Sequence, residues 1–515
     1  SFYKKIFLKF MIPALIKIGN IGFLFFLILS FGNCSLSKNK IKKNVLMIIV
    51  DDLRTEIQSW GRTDIITPNL DKLSRKGVSF HNAFAQYANC SPSRISMLTG
   101  LSPETTGHTG NLRSKPEFSR HVTLPGHFKE HGYYTASIGK VYHDARDDRK
   151  SWDYYFDLVS PDKSWTDPTN RWECYADSIN NTLLGTDRPA VEKTDKDLEA
   201  YKDYQLCKNA MSLIEKQKDN PFFITVGFRK PHLPFAAPEK YWDLYDRENI
   251  NLSKFPISPE KSDSIVYQWS ELSSYNYYSE SYKTSNYKNK IIKNNKAREL
   301  RHGYFACVSF IDDLVGLLVK KLEELNLDKN TIIVVTGDHG YQLGDQQIWG
   351  KHSNYHLSTR VPLIIFDPLI SPIKNISKKY IELLNLYPSL SELASLPAPA
   401  NLDGKSFISI FHESEPKEFN LSFSQYQSFQ KNTDFSELVS FALHSEDYTY
   451  IEWQDKKSNY KIVNRELYNL NPVERQNIAD NPVYKNQIEE FSMKLNQKFR
   501  QYRLKSSNFK ISKRI

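Results

Sequence analysis

Five short passages carry the residues of this sequence that could do chemistry together. Asp51 and Asp52 follow the run NVLMIIV, Lys140 and His143 follow TASIG, Arg229, Lys230 and His232 follow FFITVGF, and Asp338 and His339 follow TIIVVTG. The fifth is the turn NCSPSR (Asn89 to Arg94), which sets Cys90 ahead of the helix-like ISMLTG. Three carboxylates brought together (Asp51, Asp52, Asp338) would repel one another and rise in pKa unless a cation neutralised them. Ligands dominated by carboxylates point to a hard divalent ion, Ca2+ or Mg2+, for which His339 is an unusual partner. Taken singly, each cluster has a plainer reading. Adjacent acids cap helices, a lone histidine is usually hydrogen-bonded, and an isolated cysteine is a small buried thiol.

What favours chemistry is the element in front of each cluster. All four runs are short, apolar and rich in β-branched residues, as suits strands buried on both faces, and helical segments alternate with them. That pattern predicts an α/β fold, and in open α/β sheets ligands bind beyond the carboxyl ends of the strands, where these clusters would converge. The spacing predicts a helix over 297–325 that buries Cys307 and turns Asp312 and Asp313 to solvent. His81, His121, His127 and His131 belong to no cluster and are expected to be solvated or hydrogen-bonded. The tyrosine-rich passage from Trp269 to Lys290 reads as a polar surface insertion, or, if ordered over the cleft, as the place where substrate is chosen.

With 515 residues and a net charge of +10, the chain is long enough for two domains and basic enough to suit a polyanionic partner. Lysines 4, 5, 9 and 17 precede the apolar run Ile21 to Gly32, which has the shape of a secretory signal and is short for a membrane span. We therefore expect a signal over 1–36, an exported mature chain without a transmembrane helix, and cleavage near Cys34, with lipidation of Cys34 as the alternative. The domain expectations are a large α/β domain over 37–414 and a smaller α+β domain over 415–515, built from LSFSQYQ, LVSFALHS and DYTYIEW as antiparallel strands with a closing amphipathic helix. Export permits disulfides, and Cys174 with Cys207 is a plausible pair. There is no Gly-rich phosphate loop and no nucleic-acid motif, so an acidic glycan is the simplest partner for the positive charge.

CSPSR followed by ISMLTG resembles the signature of the type I sulfatase family, matching at Cys90, Pro92, Arg94, Thr99 and Gly100. TPNLDKL, WGKHSN, TRVPLI and ELYNLNPVERQNIA extend the likeness over nearly all of the chain, and VDDLR, GKVYH, KPHLPF and DHG are most similar to iduronate-2-sulfatases. The resemblance implies an alkaline-phosphatase-like large mixed sheet flanked by helices. It implies that Cys90 is converted to formylglycine by a formylglycine-generating or anaerobic sulfatase-maturating enzyme, and that one Ca2+ is held by Asp51, Asp52, Asp338, His339 and residue 90. Arg94, Lys140 and Lys351 would then bind the hydrated aldehyde and the sulfate oxygens, His232 would protonate the leaving alcohol with Lys351 as competing donor, and His143 would act as base. The implied substrate is a sulfated, uronic-acid-containing poly- or oligosaccharide, either ulvan-type or carrying iduronate 2-sulfate, met in the periplasm, at the cell surface or outside the cell. A formylglycine-dependent phosphonate monoester or phosphodiester hydrolase and a noncatalytic sulfated-glycan-binding protein are the alternatives.

Overall fold

Residues 45–50 are apolar without a break because both faces of their strand are covered. Leu46, Ile48 and Val50 enter one hydrophobic cluster while Val45, Met47 and Ile49 enter another, as alternating side chains of a two-sided strand must. The computed structural model describes residues 42–109, 122–143, 148–160, 175–267, 270–276, 288, 290–413, 418–428, 437–470 and 474–511. The signal-like segment, Cys34, His121 and Cys174 lie outside them.

The strand just described, β1 (Asn44–Val50), sits inside an eight-stranded sheet with β2 (Val78–Phe84), β3 (Tyr134–Gly139), β4 (Tyr154–Phe156), β5 (Phe222–Phe228), β6 (Thr331–Gly337), β7 (Arg360–Phe366) and β8 (Ile376–Glu382). Their spatial order is β8-β2-β7-β6-β1-β5-β3-β4. Strands β6, β1, β5 and β3 are consecutive neighbours and all parallel, so their carboxyl ends share one edge. These are the four strands legible in the sequence. The sheet is mixed because β7 runs antiparallel to both β6 and β2. One face is covered by the helices Asn294–Glu324 and Lys202–Lys216, the other by Cys90–Thr99, Leu124–Glu130 and Leu386–Leu393.

A second, antiparallel sheet holds β9 (Ser422–Gln427), β10 (Leu438–His444), β11 (Tyr448–Asp455) and β12 (Lys461–Asn469) in sequential order. Ile488, Phe491, Leu495, Phe499 and Tyr502, spaced by three and four, lay one stripe of the helix Lys485–Ile511 on one face of this sheet. Ala442, Ile451, Trp453 and Tyr468 join the core that also holds Leu46 and Ile48.

Asp312 and Asp313 do not face solvent. Asp312 is buried and accepts hydrogen bonds from the backbone N–H groups of Asn69 (3.0 Å) and Leu70 (2.7 Å). These amides open the helix Pro68–Lys76, whose N-cap Thr67 makes no side-chain capping bond, so the orphan donors are satisfied from a distant helix. Asp313 is half-buried and accepts from the Tyr241 hydroxyl at 2.8 Å. Helical spacing could not reveal this, because the amides that need a partner lie about 240 residues away in sequence. Asp312→Ala should lower stability by about 1–3 kcal/mol, read as a lower melting temperature, with Asp312→Asn recovering most of it. An unchanged melting temperature for the alanine variant would exclude this capping role.

Cys207 is a free, buried thiol that faces the Leu314 carbonyl at 3.6 Å, so the pairing with Cys174 that the sequence left open is not made. Packing of the helix Lys202–Lys216 on Asn294–Glu324 explains its burial without a disulfide. Cys307 is likewise free and buried, as expected. His81 stacks on Trp60, His127 meets the Pro397 carbonyl, and His131 meets the carbonyl of His127, so these three are structural.

Candidate active site

Cys90 is the first residue of the helix Cys90–Thr99, not part of a turn ahead of it, and Asn89 in extended conformation leads the chain in. The helix N-terminus, with its unpaired amides and positive dipole end, therefore opens where Cys90 lies. One turn on, Arg94 is fully buried and crosses beneath the strand ends. Its Nε donates to Asp338 Oδ2 (2.8 Å), and Nη2 lies 3.4 Å from Asp51 Oδ1. A further guanidinium nitrogen donates to the carbonyls of Lys140 and Val141. Thus the one arginine ties together the ends of β1, β3 and β6.

The acids are held as firmly. Asp52 has φ of 61°, a left-handed backbone that turns the chain immediately after β1. The Tyr304 hydroxyl donates to the Asp52 carbonyl (2.8 Å) and accepts from the Arg54 N–H (3.0 Å), which fixes that turn. Ser93 Oγ donates to the Asp338 carbonyl, and the N–H groups of Asp52 and His339 both donate to Asp338 Oδ1.

Around Cys90 Sγ lie Asp51 Oδ1 at 3.3 Å, His339 Nε2 at 3.2 Å, Lys351 Nζ at 3.5 Å and Lys140 Nζ at 3.6 Å. Donor atoms of Asp51, Cys90, Asp338 and His339 all fall within 4.8 Å of one another, as do those of Asp52, Cys90 and His232. Lys140 pairs with Asp51, and Lys351 with Asp52 at 2.8 Å. His143, three residues past Lys140, is half-buried and within the electrostatic reach of Lys140 and Asp51. Of the other residues noted after β5, Arg229 instead grips Asp157 with two contacts of 2.7 Å, and Lys230 donates to the Pro234 carbonyl (2.7 Å), bracing the turn that carries His232.

Electrostatics separate the acids. Burial opposes ionisation of Asp51, but Lys140, aided by His232, Arg94 and Lys351, outweighs it and holds its carboxyl well below the usual range. Burial, together with Glu271, Asp51 and Asp338, pushes Asp52 well above that range despite Lys351. Burial and the neighbouring Asp51 carboxylate push the Cys90 thiol up, so it stays protonated. Burial lowers His143 to about 3 and His339 to about 4, and His232 also falls well below its ordinary value. His339 Nδ1 lies 3.0 Å from the Gly340 carbonyl, which can only accept. The ring proton therefore sits on Nδ1, and Nε2 turns a lone pair toward the acids and Cys90.

This donor set fits a divalent cation. Asp52 Oδ2 is buried without a hydrogen-bond partner among the described residues, the His339 lone pair points inward, and added positive charge would offset the burial and repulsion that oppose ionisation of Asp52.

Sequence reasoning missed Glu271, His352 and Tyr304. Glu271 Oε1 lies 3.0 Å from Lys351 Nζ and 3.5 Å from His352 Nε2. It lies in the tyrosine-rich passage, where nothing about its neighbours marks it. Tyr304 is on a predicted helix, but its bond to Asp52 is a tertiary one.

A parallel-centred sheet whose strand ends crowd buried acids, cations and one cysteine together defines the chain as a hydrolase of the alkaline-phosphatase-like architecture. The family model described as Sulfatase matches residues 43–396, and one described as N-sulphoglucosamine sulphohydrolase, C-terminal, matches 344–501. The chain belongs to the sulfatase family and is a sulfuric ester hydrolase. It is 31% identical over 473 residues to iduronate 2-sulfatase of Mus musculus, covering 84% of this chain and 83% of the relative. An ulvan-active sulfatase of Formosa agariphila is 26% identical over 502 residues, with 92% and 86% coverage. Among solved structures, the phosphonate monoester hydrolase of Agrobacterium radiobacter superposes with a TM-score of 0.74 at 20% identity, covering 90% of this chain and 96% of that one, which establishes likeness of fold. Among the described residues no helix is long and apolar enough to cross a membrane.

Proposed function

We propose that the protein removes sulfate from a uronic-acid-containing poly- or oligosaccharide, with residue 90 acting after conversion of Cys90 to formylglycine. The observation that carries this reading is the setting of Cys90. A thiol kept protonated by burial and by the neighbouring Asp51 is a poor nucleophile and a poor ligand for a hard ion, yet it stands among carboxylates and cations that suit both tasks. Formylglycine there would supply a geminal diol, with one hydroxyl to attack sulfur and a second whose deprotonation expels sulfate. Asp51, Asp52, Asp338 and His339 would hold a divalent cation, Ca2+ by resemblance, and when bound it would acidify the attacking hydroxyl and take up charge on the sulfuryl oxygens.

The chain's own residues account for the rest. Arg94 is committed to Asp51 and Asp338 and keeps those carboxylates aimed. Lys140 and Lys351, with Nζ atoms 3.6 and 3.5 Å from Sγ, flank residue 90 and offer N–H groups to the sulfate oxygens, where charge grows in the transition state. His143, kept neutral by burial and Lys140, is suited to taking a proton from the second hydroxyl. His232 donates Nδ1–H to the Leu233 carbonyl at 2.7 Å, leaving Nε2 as a lone pair facing the site. To act as the acid, it must gain a proton as the anionic substrate enters, whereas Lys351 carries its proton throughout.

Leaving-group dependence separates these two donors. If His232 is the acid, His232→Ala loses about 10²–10⁴-fold on a sugar sulfate and far less on an aryl sulfate, whose alcohol departs without protonation. The same pattern appearing in a Lys351 variant instead would transfer the role to Lys351.

The test of the function is sulfate release, by ion chromatography, from ulvan oligosaccharides and from heparin-type disaccharides carrying iduronate 2-sulfate, beside a phosphonate monoester. The fold likeness to a phosphonate monoester hydrolase makes that second substrate a real competitor. Turnover of the phosphonate in preference to both sugars would overturn the sulfatase reading of the substrate.

A further inference from the structure

Among the described residues, Glu271 is a carboxylate of this pocket that belongs to neither metal-ligand group. It also does not come from the large sheet. It opens a short 3-10 turn, Glu271–Ser274, anchored at both ends. Ser270 Oγ donates to the Trp349 carbonyl at 3.1 Å, two residues before Lys351. Beyond the turn, the Asn276 N–H donates to the Arg188 carbonyl at 2.8 Å, and the Arg188 guanidinium sits 5.0 Å over the Tyr275 ring.

Glu271 is buried, and the contacts of Oε1 all go to site groups: Lys351 Nζ at 3.0 Å, His352 Nε2 at 3.5 Å and His232 Nε2 at 3.9 Å. Oε2 is buried without a hydrogen-bond partner among the described residues, so this carboxylate is not spent on capping backbone. An ammonium has three N–H donors. Those of Lys351 are taken by Asp52 Oδ1 at 2.8 Å, Glu271 Oε1 at 3.0 Å and the direction of Cys90 Sγ at 3.5 Å. With two donors held by carboxylates, the third is left for the reacting atom. If Asp52 held a divalent cation as proposed, less of its charge would be left for Lys351, and Glu271 would be the other carboxylate available to hold the ammonium.

Resting on the proposed function, we infer that Glu271 is a positioning residue that holds the Lys351 ammonium in line with residue 90 and the sulfuryl group. Its charge is what matters, because a neutral side chain of the same shape neither orients an ammonium as strongly nor balances it where both are buried. The plainer reading is that Glu271 fills space and satisfies a buried lysine as part of the packing. The two differ in what they demand of a substitute. Gln keeps the shape and loses the charge, while Asp keeps the charge and loses a methylene.

The experiment measures kcat and KM for Glu271→Gln and Glu271→Asp, using whichever of the iduronate 2-sulfate disaccharide and the ulvan oligosaccharide the parent turns over, with melting temperatures alongside. The expected result is a kcat about 10- to 100-fold lower for Glu271→Gln, the usual size of loss when a supporting partner of a site group is removed. KM should change little, and Glu271→Asp should keep several-fold more activity than the glutamine variant. Activity in Glu271→Gln equal to or above that of Glu271→Asp, or no loss in either, overturns the inference. If the glutamine variant does not fold, Glu271→Asp decides alone: kcat within about tenfold of the parent at unchanged KM supports the role, and a larger loss refutes it. A parent that releases no sulfate counts against the proposed function and not against Glu271, whose comparison then runs on the phosphonate monoester.

Discussion

Cys90→Ala should abolish sulfate release, an expected loss of about 10⁶-fold in kcat, the scale on which covalent catalysis depends on its nucleophile. The variant should still fold. Cys90 is a small buried residue at the head of a helix, and alanine removes one sulfur atom and its hydrogen bond to Asp51, so the melting temperature should move by only a few degrees. Cys90→Ser separates a merely nucleophilic oxygen from a geminal diol. Serine can accept the sulfuryl group but has no second hydroxyl from which to expel it, so the variant should be inactive in turnover and carry sulfate in its residue-90 peptide by mass. Parent protein whose Cys90 remains a thiol should be as inert as the alanine variant, since burial keeps that thiol protonated. Steady turnover by Cys90→Ala, or by the unconverted thiol, would show that the chemistry lies elsewhere.

Chelation is the second large effect. Exhaustive treatment with EDTA should remove activity, and Ca2+ should restore it better than Mg2+. Loss of activity on chelation follows from the acids: a pocket that gathers Asp51, Asp52 and Asp338 repels an anionic ester until a cation offsets their charge. The ion should also stabilise the fold, because it binds the folded state and neutralises carboxylates that folding has buried. At a concentration about 100 times its Kd, that linkage amounts to about 2.7 kcal/mol, which raises the melting temperature by several degrees. Full activity and an unchanged melting temperature after chelation would remove the metal from this account. Restoration by Mg2+ alone would keep the site and replace the ion.

How far the site could be read from sequence differs residue by residue. Asp51, Lys140, His232 and Asp338 were legible because each follows a continuous apolar run, and such a run has few alternatives to a strand covered on both faces. Cys90 was legible through its motif, although its place as first residue of the helix was not. Glu271 was invisible, since a glutamate among serines and tyrosines reads as surface until the 3-10 turn folds it against Lys351. Asp312 was misread for the related reason that helical periodicity locates a face but cannot say that another helix's unpaired amides will cover it. Whether Cys207 pairs stayed open because spacing between cysteines says nothing about which surface packs over them.

Legible in the order of side chains were the four central strands, the longest helices and the chemical inventory, because continuous apolar runs and 3.6-residue spacing are local properties. The tertiary structure decided the order β6-β1-β5-β3, which alone puts four strand ends on one edge. It also decided that Arg94 joins three of those ends, that Asp51 ionises readily while Asp52 resists, and that Lys351 is gripped from both sides. These depend on distances between groups as many as 300 residues apart in the chain, and Coulomb interaction and desolvation act through space, not along the sequence.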